Sequence, residues 1–569
     1  MLAETLKEYD LKNQKYRNLM KHVSDPYFLS MSYDEIKSKP GNMTKGAKPE
    51  TLDKINFAWF ENTAKKLLTN QFKFDPSRRI EGASSPKASD PTKTRPLTVA
   101  SPRDKIVQKA IQIILQAIME NKFLSSSHGF RPQKSVHSAL RSIYAGGQTF
   151  KWVVQGDISK CFDKIPHRLV MKYLEELIAD QGFLTLVNKF LSAGHYDPKT
   201  GRLVKSEIGI PQGGVLSPIL CNIVLHKFDE FMANYIAKFE VGKKRINNPE
   251  YQRVQNLRKK AKTREERLKY LRLKRSIPTG DPMDPNFKRM MYVRYADDFV
   301  ILIIGSRDDA ALAKLRAKDA LMRLCGAELS AEKTLITHMS EGFMFLGAEI
   351  RKLEKNTQHV GTTGVGDKGR VFTRRLLIKA PLIRLLGNLE KAKMIRRNAQ
   401  GKYIPISCTN LTNLSHYDIL RFYNSKISGI LNFYSFASNY SKLATIIWYL
   451  RHSCALTLAR KNKLGTASKA FKKYGARLSD PETDLSITIP RSMATTHHFQ
   501  VSKAVVDPEV YSNIHWAHKL TETSFGKKCA LCNTTSNIEM HHLRSVKDVM
   551  GSATKRRRGP VGYAQWDTS

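Results

Sequence analysis

One segment, residues 290–305 with the sequence MMYVRYADDFVILIIG, limits the folds open to this chain more than any other. Two runs of aromatic and β-branched residues flank a short polar centre, Ala296-Asp297-Asp298. Such runs favour strands, so the segment predicts a β-hairpin that presents two carboxylates at its tip. Adjacent carboxylates repel each other and tolerate burial poorly unless a cation lies between them, and oxygen ligands suit Mg²⁺. An exposed turn, in which Asp is simply a favourable residue, is the alternative.

A second segment, residues 151–162, brings a strand-like run to its end at Asp157. Sites that transfer phosphoryl groups with two metal ions gather carboxylates from separate strands. One ion activates an attacking 3′-hydroxyl, and the other neutralises the leaving pyrophosphate. Asp157, Asp297 and Asp298 meet this need if the two segments pair in one sheet.

The charge of the chain indicates its partners. With 95 Lys and Arg against 51 Asp and Glu in 569 residues, the formal net charge is +44. A compact protein with this excess needs a polyanion, and nucleic acid is the commonest one. A membrane surface is the main rival, but no apolar run approaches the roughly 18 residues that span a bilayer, so we expect no membrane partner. The polar N-terminus of mixed charge is unlike a secretory signal, so we do not expect secretion.

The positive charge is most concentrated in the window 243–275, which contains fourteen Lys or Arg and three Glu. Its few apolar residues are weakly periodic, which predicts a partly helical insertion. The insertion is either a solvated surface or a surface that contacts phosphates. Stretches rich in Pro, Gly and Ser at 81–92, 277–286 and 361–369 are predicted to be loops.

Helices are predicted after the hairpin. Ser306 and Asp309 form a capping box, and the apolar residues that follow, Ala317, Ala320, Leu321 and Leu324, have helical spacing. Residues 417–434 and 445–461 also carry apolar residues at near-helical intervals. The chain beyond about residue 370 is therefore predicted to be largely helical.

Seven motifs in a fixed order make the chain resemble the group II intron-encoded reverse transcriptase/maturase family. They lie at residues 93–97, 127–137, 157–162, 209–218, 295–298, 330–333 and 342–347. The resemblance implies an α+β fold: a right-hand polymerase with fingers and palm, then a helical thumb/maturase domain and a small C-terminal basic region. The implied divisions are an N-terminal extension with fingers at 1–150, a palm at 151–365 with the basic insertion at about 241–290, a thumb/maturase domain at 366–480, a DNA-binding segment at 481–525, and a partial HNH endonuclease at 526–569.

The resemblance also implies a function. The chain would be an Mg²⁺-dependent RNA-directed DNA polymerase that binds its host group II intron RNA as a ribonucleoprotein, assists splicing and supports retrohoming. Its further partners would be target DNA, primer–template and dNTPs, in a mitochondrion, a plastid or the bacterial cytoplasm. A non-catalytic RNA-binding splicing factor on a reverse-transcriptase scaffold is one alternative, against which the intact acids argue. An RNA-templated RNA polymerase is another.

The family motifs assign roles to individual residues. Asp157, Asp297 and Asp298 would be the catalytic acids that hold two Mg²⁺ ions, with the backbone carbonyl of Ile158 as a further ligand. Phe162 would lie under the sugar of the incoming nucleotide, where its ring would collide with a 2′-hydroxyl. This position argues against an RNA polymerase; an aromatic residue of the core after a strand is the alternative.

The other implied nucleotide contacts come from four separate motifs. Lys93 and Arg95 would reach the triphosphate as charge-assisted donors. Arg131 would assist them, or would be a surface arginine. Gln212, before a pair of glycines that allow close backbone approach, would lie near the templating base. Lys333 would neutralise or protonate the pyrophosphate, or would be one of many surface lysines.

The C-terminal motif resembles the first half of the family's HNH endonuclease. Cys529 and Cys532 would hold a structural metal, His541 would ligate the metal of the cleavage site, His542 would be the general base, and Glu539 would support them. A structural Zn²⁺ site generally takes four ligands, and no later Cys-x-x-Cys or His follows in the sequence. The endonuclease is therefore predicted to be incomplete, and cysteines that bind no metal are the alternative.

Overall fold

The computed structural model of the chain describes residues 8–39, 41–80, 86–87, 90–94, 97–205, 207–277, 279–281, 284–353, 358–362, 368–372, 376–490, 492–501 and 539–540. Within 86–94, 275–276, 358–372 and 539–540 it describes the backbone alone.

The helices of these residues are, in chain order, α1 Leu19–Val23, α2 Pro26–Lys37, α3 Phe57–Leu68, α4 Pro102–Glu120, α5 Val136–Gly146, α6 Cys161–Lys164, α7 His167–Glu175, α8 Gln181–Ser192, α9 Ser217–Phe239, α10 Pro249–Lys260, α11 Arg264–Ser276, α12 Arg307–Cys325, α13 Leu382–Lys391, α14 His416–Phe433, α15 Leu443–Lys461 and α16 Ala467–Tyr474. The strands are β1 Tyr9–Asp10, β2 Lys15–Tyr16, β3 Ile55–Asn56, β4 Ser77–Ile80, β5 Pro86–Lys87, β6 Asp90–Thr94, β7 Leu97–Val99, β8 Trp152–Ser159, β9 His195–Tyr196, β10 Leu203–Val204, β11 Arg289–Tyr295, β12 Asp298–Ile304, β13 Glu328–Leu329, β14 Ile336–His338, β15 Phe343–Phe345, β16 Ala348–Lys352, β17 Gln358–Thr362, β18 Lys368–Phe372, β19 Leu376–Lys379, β20 Ile395–Arg397, β21 Tyr403–Pro405 and β22 Glu539–Met540.

A central antiparallel sheet, the palm sheet, carries both acidic segments. Its strand order is β11-β12-β8-β13, and β14 also pairs with β8. The predicted hairpin is confirmed: β11 and β12 pair from Arg289 opposite Ile304 to Tyr295 opposite Asp298. The mixture of this sheet with surrounding helices confirms the predicted α+β class.

Both faces of the palm sheet are covered, which explains the uninterrupted apolar run in β12. Successive side chains of a strand point to opposite faces. Phe299, Ile301 and Ile303 belong to one core, with helices α1–α4, α7–α9 and α12. The residues between them, Val300 and Leu302, belong to a second core, with α5 and helices α13–α16. A strand buried on both faces reads as continuously apolar.

Helix α12 is confirmed with its predicted cap. The Ser306 hydroxyl accepts from the Asp309 N–H at 3.0 Å, and the Asp309 carboxylate accepts from the Ser306 N–H at 2.9 Å. Ala317, Ala320 and Leu321 are buried, whereas Leu324 is only partly buried. Helices α14 and α15 confirm the predicted helical segments after residue 416.

The predicted basic insertion consists of helices α10 and α11, which pack against each other. We call residues 247–280 the basic arm. Its two ends meet in an antiparallel bridge between Asn247 and Gly280, where Asn248 N–H donates to the Thr279 carbonyl at 3.0 Å. Within the described part of its two helices, only Val254 is buried.

Two of the predicted loops are partly wrong. The stretch 81–92 contains β5 and the beginning of β6, which form an antiparallel pair. The stretch 361–369 contains the end of β17 and the start of β18, also paired. Backbone hydrogen bonding in a two-stranded ribbon tolerates the Gly and Pro that made these stretches look irregular.

Among the described residues, no helix combines the length and the apolar character needed to cross a bilayer.

His128 yields a prediction about acid stability. Its ring is 2% exposed, Nδ1 contacts the Ser138 hydroxyl at 2.8 Å, and Nε2 has no hydrogen-bond partner. Burial first, and then the nearby cations of Lys134, Arg131 and Arg294, lower the pKa of His128 to about 4. The unfolded chain therefore takes up a proton, at about pH 6.5, before the folded chain does, so stability falls as the pH drops from 6.5 towards 4.

We expect His128→Gln to lessen the loss of unfolding free energy between pH 7.5 and pH 5 by about 2 kcal/mol. Urea unfolding of both proteins at the two pH values measures this difference. Equal losses in wild type and variant would contradict the assignment.

Candidate functional site

The palm sheet brings the three predicted catalytic acids to one end. In the pairing of β12 with β8, Asp298 lies directly opposite Asp157. Side chains at such opposite positions have Cβ atoms about 5 Å apart on the same face. Asp297 lies in the adjoining turn, where its carbonyl accepts from the Ile158 N–H at 3.1 Å. Three carboxylates from sequence positions 140 residues apart thus share one corner of the sheet.

The acids strongly influence one another. Burial is the main cause that raises the pKa of Asp298 to about 7, followed by the negative charges of Asp297 and Asp157. Lys333 partly offsets this repulsion, because its ammonium donates to both oxygens of Asp157 at 3.1 and 3.0 Å. Positive charge near the three carboxylates is therefore favourable, and Lys333 supplies one such charge.

The donor set suits Mg²⁺, since all three side chains offer carboxylate oxygens. Within the described ranges, however, no three His, Cys, Asp or Glu side chains are grouped closely enough to hold one ion. The pairing of Asp157 with Lys333 occupies one carboxylate. The Lys333 ammonium is therefore placed to compete with a metal ion for the oxygens of Asp157.

Phe162 lies in α6, immediately after the Asp157 strand, and is half-buried against the first core. Its ring makes an edge contact with Phe130, at 6.1 Å between centroids. Phe130 is 51% exposed and has a left-handed backbone, with φ of 56°. We did not predict Phe130 from the sequence, although it lies within the motif at 127–137.

The loop that contains Gln212 is fixed against the strand β7. The Gln212 carbonyl accepts from the Thr98 N–H at 2.6 Å. A Cβ on Gly213, whose φ is +113°, would lie 2.4 Å from the Thr98 carbonyl oxygen, so only glycine fits. Gln108 accepts from the Val215 N–H at 2.9 Å, which anchors the other side of the loop.

The same loop reaches the Asp157 segment, because Ile210 N–H donates to the Phe162 carbonyl at 2.6 Å. The backbone of Lys93 lies in β6, and Arg95 lies outside the described residues.

Arg131 occupies a different environment from either predicted one. It is 9% exposed, and its guanidinium pairs with Glu120 at 2.7 Å. It also donates to the carbonyls of Leu124 and Ser127, at 2.7 and 2.8 Å. Its low exposure shows that Arg131 is not a surface residue. Because these contacts occupy its N–H donors, its geometry argues against a triphosphate contact.

A buried ion pair behind the hairpin was missed in the sequence. Arg294 and Asp229 are both 0% exposed and pair at 2.6 Å. The available signal was an arginine in an otherwise apolar strand, which requires a buried acceptor. Its partner could not be identified, because Asp229 lies on the distant helix α9.

The C-terminal residues Cys529, Cys532, His541 and His542 lie outside the described residues. Glu539 begins β22, whose backbone pairs with β3. A metal site at these residues therefore stays a prediction.

Comparison with known proteins gives two family matches. Residues 85–350 match the family described as reverse transcriptase (RNA-dependent DNA polymerase), and residues 373–512 match type II intron maturase. The first match contains Asp157, Asp297 and Asp298.

Individual relatives extend over nearly the whole chain. The putative COX1/OXI3 intron 1 protein of Saccharomyces cerevisiae is 35% identical, over 98% of this chain and 67% of its own length. The group II intron-encoded protein LtrA of Lactococcus lactis subsp. cremoris is 30% identical, over 95% of this chain and 92% of its own length. The uncharacterized 91 kDa protein in cob intron of Schizosaccharomyces pombe is 33% identical, over 94% of this chain. The match with this chain spans about two thirds of the length of these two yeast relatives.

The Lys333–Asp157 pair yields a prediction about cation binding. The ammonium competes with a metal ion for Asp157, so Lys333→Met should bind Mg²⁺ more tightly in the absence of nucleotide. An exposed pair of this kind contributes up to about 1 kcal/mol, or roughly fivefold in Kd. Titration calorimetry measures the affinity.

Lys164→Met is the matched control, because Lys164 is a neighbouring exposed lysine paired with Glu328 instead. Its affinity for Mg²⁺ should equal that of the wild type. Unchanged or weaker binding in Lys333→Met would contradict the competition.

Proposed function

This chain belongs to the group II intron-encoded reverse transcriptase/maturase family, and from that membership we propose that it is an Mg²⁺-dependent RNA-directed DNA polymerase that also serves its host intron. The observation that carries the proposal is the cross-strand pairing of Asp298 with Asp157, beside Asp297. The work for the intron comprises binding its RNA, assisting splicing and supporting retrohoming into target DNA.

The three aspartates would hold two Mg²⁺ ions, with the Ile158 carbonyl as a further ligand. Bound Mg²⁺ supplies activation of the primer 3′-hydroxyl and neutralisation of the pyrophosphate. The protein residues place the carboxylates and balance charge. Lys333, displaced from Asp157, would lie within reach of the leaving pyrophosphate.

The nucleotide would lie between the hairpin and the Gln212 loop. Phe162 supports this placement, because its half-buried ring lies just beyond the strand of Asp157. Its backbone carbonyl also accepts a hydrogen bond from Ile210 N–H in the Gln212 loop. Its ring would exclude a 2′-hydroxyl and select dNTPs. Gln212 would face the templating base, and Lys93 and Arg95 would contact the triphosphate. We assign no such role to Arg131.

Binding of the intron RNA would use the basic arm. The arm has eleven Lys or Arg against three Glu, yet the described part of its two helices buries only Val254. Burial therefore contributes little to holding two like-charged helices together. Phosphates of a folded RNA would compensate this charge and release counterions. The protein would work in the bacterial cytoplasm or in a mitochondrion or plastid, consistent with bacterial and fungal relatives.

Primer extension on an RNA template tests the polymerase directly. We expect Mg²⁺-dependent incorporation of dNTPs in preference to rNTPs, and a loss of at least about 10³-fold in Asp157→Asn, Asp297→Ala and Asp298→Asn, because each removes a metal ligand. Asp308→Ala is the matched control, since Asp308 is an exposed carboxylate on the same domain. An inactive wild type that still promotes splicing would instead identify a non-catalytic splicing factor, and a preference for rNTPs an RNA polymerase.

Removal of the basic arm tests the RNA-binding surface. Because Asn247 and Gly280 already face each other, a short Asn-Gly linker can replace 248–279. The plot of log affinity for intron RNA against log salt has a negative slope. We expect this slope to become less steep by about 3 or more, which corresponds to several lost phosphate contacts. Filter binding over a range of salt measures it.

Extension of a short primer–template should stay within about twofold of the wild type, because the arm lies outside the palm sheet. Lys259→Gln, Lys269→Gln and Arg272→Gln together, all exposed, should reproduce part of the effect with both helices retained. An unchanged salt slope in both variants would contradict the assignment.

A further inference from the structure

Arg294 is the largest fully buried side chain of the described residues, and it lies two residues before the turn that carries the acids. All five of its N–H donors are used. Nε and Nη2 bind the two oxygens of Asp229 at 2.8 and 2.6 Å. Nη1 donates to the Asn222 side-chain oxygen at 3.1 Å and to the Ala296 carbonyl at 3.0 Å. Nη2 also donates to the Ser127 hydroxyl at 2.8 Å.

The Ala296 carbonyl belongs to the turn itself. Ala296 is 6% exposed and has a left-handed backbone, with φ of 56°, which an alanine adopts at a cost. Nη1 of Arg294 holds this carbonyl from one side, and the Ile158 N–H holds the next one, that of Asp297. Both peptide groups that flank Asp297 are thus tied to fixed elements.

The segment that contains Gly129 contacts the same turn. A Cβ on Gly129 would lie 2.3 Å from the Ala296 nitrogen, so glycine allows the backbones to touch. Asn222 donates to the Gly129 carbonyl at 2.8 Å while it accepts from Arg294. One network therefore joins helix α9, the motif at 127–137 and the turn.

We infer that Arg294, with Asn222 and Ser127, is a positioning group that fixes the Ala296–Asp298 turn so that Asp297 and Asp298 meet Asp157 at the distance that metal ions require. The inference rests on the proposed polymerase function. None of these three side chains touches a reacting atom. They act through the Ala296 carbonyl and the Gly129 contact.

Arginine is specific for this place. Its planar fork binds Asp229 with two parallel bonds and still reaches Asn222, Ala296 and Ser127. Lysine carries the same charge but has one ammonium with three donors, so it cannot serve all of these acceptors. A lysine ammonium could neutralise Asp229, but only the planar guanidinium can also donate to the Ala296 carbonyl of the turn.

The test is steady-state primer extension with Arg294→Lys, and with Asn222→Ala and Ser127→Ala as milder changes that spare the ion pair. Activity is expressed per active site, from the burst amplitude. We expect kcat to fall by about 10- to 100-fold in Arg294→Lys, the usual effect of losing a residue that orients metal ligands. The Mg²⁺ midpoint should rise, while KM for dNTP stays within about threefold.

Tyr292→Phe is the matched control. The Tyr292 hydroxyl donates to the same Asp229 carboxylate at 2.8 Å, from the same buried cluster, but Tyr292 makes no hydrogen bond to the turn. The Tyr292→Phe variant should be less stable than the wild type, yet keep the wild-type kcat and Mg²⁺ midpoint. A purely structural role for the network would lower the active fraction alike in all variants and leave the Mg²⁺ midpoint unmoved.

Each outcome is decisive. Wild-type kcat and Mg²⁺ midpoint in Arg294→Lys, or losses explained wholly by the active fraction, would overturn the inference and leave the polymerase intact. If Arg294→Lys does not fold, Asn222→Ala and Ser127→Ala decide by the same criteria. A wild-type chain without primer extension would overturn the proposed function, and the inference with it.

Discussion

The register between β12 and β8 is the constraint on which the site depends. With Asp298 opposite Asp157, the two carboxylates must share one face, and a shift of one residue would send one of them to the other core. Both faces of the sheet are apolar and covered, so the apolar run of β12 alone does not exclude such a shift. The Phe299 ring opposes it, because the ring lies over Gly156, where a Cβ would be 2.2 Å from the ring. The packing that fixes the register of the palm sheet thus also assembles the acids.

The register concentrates negative charge in a strongly basic chain. Burial and neighbouring carboxylates raise the pKa of Asp298, which shows how unfavourable the cluster is without a cation. Behind it, Arg294 and Asp229 form a pair whose disruption by loss of one partner typically costs about 3–5 kcal/mol. The basic arm lies apart from both, on two exposed helices. The acidic cluster and the basic surface therefore lie on separate elements.

Local signals made much of this predictable. The hairpin followed from strand-forming runs around Ala296-Asp297-Asp298, and α12 followed from its capping box, since both depend on residues close in sequence. The Arg294 network did not, because its partners lie 65 to 167 residues away. The burial of Arg131 was not foreseen, because nothing local showed that Glu120 would pair with it. The metal-binding role of the acids was inferred from the strand pattern and from carboxylate chemistry, whereas the nucleotide contacts came from family resemblance. Both remain predictions.

The central claim is that Asp157, Asp297 and Asp298 hold divalent metal at one corner of the palm sheet. Replacing Mg²⁺ by Fe²⁺ and generating hydroxyl radicals would cut the backbone next to the bound ion, and mass spectrometry would locate the cuts. We expect cleavage at 157–158 and 296–298, suppressed by excess Mg²⁺ and by Asp297→Ala. Cleavage confined to other segments, or unchanged in Asp297→Ala, would contradict it.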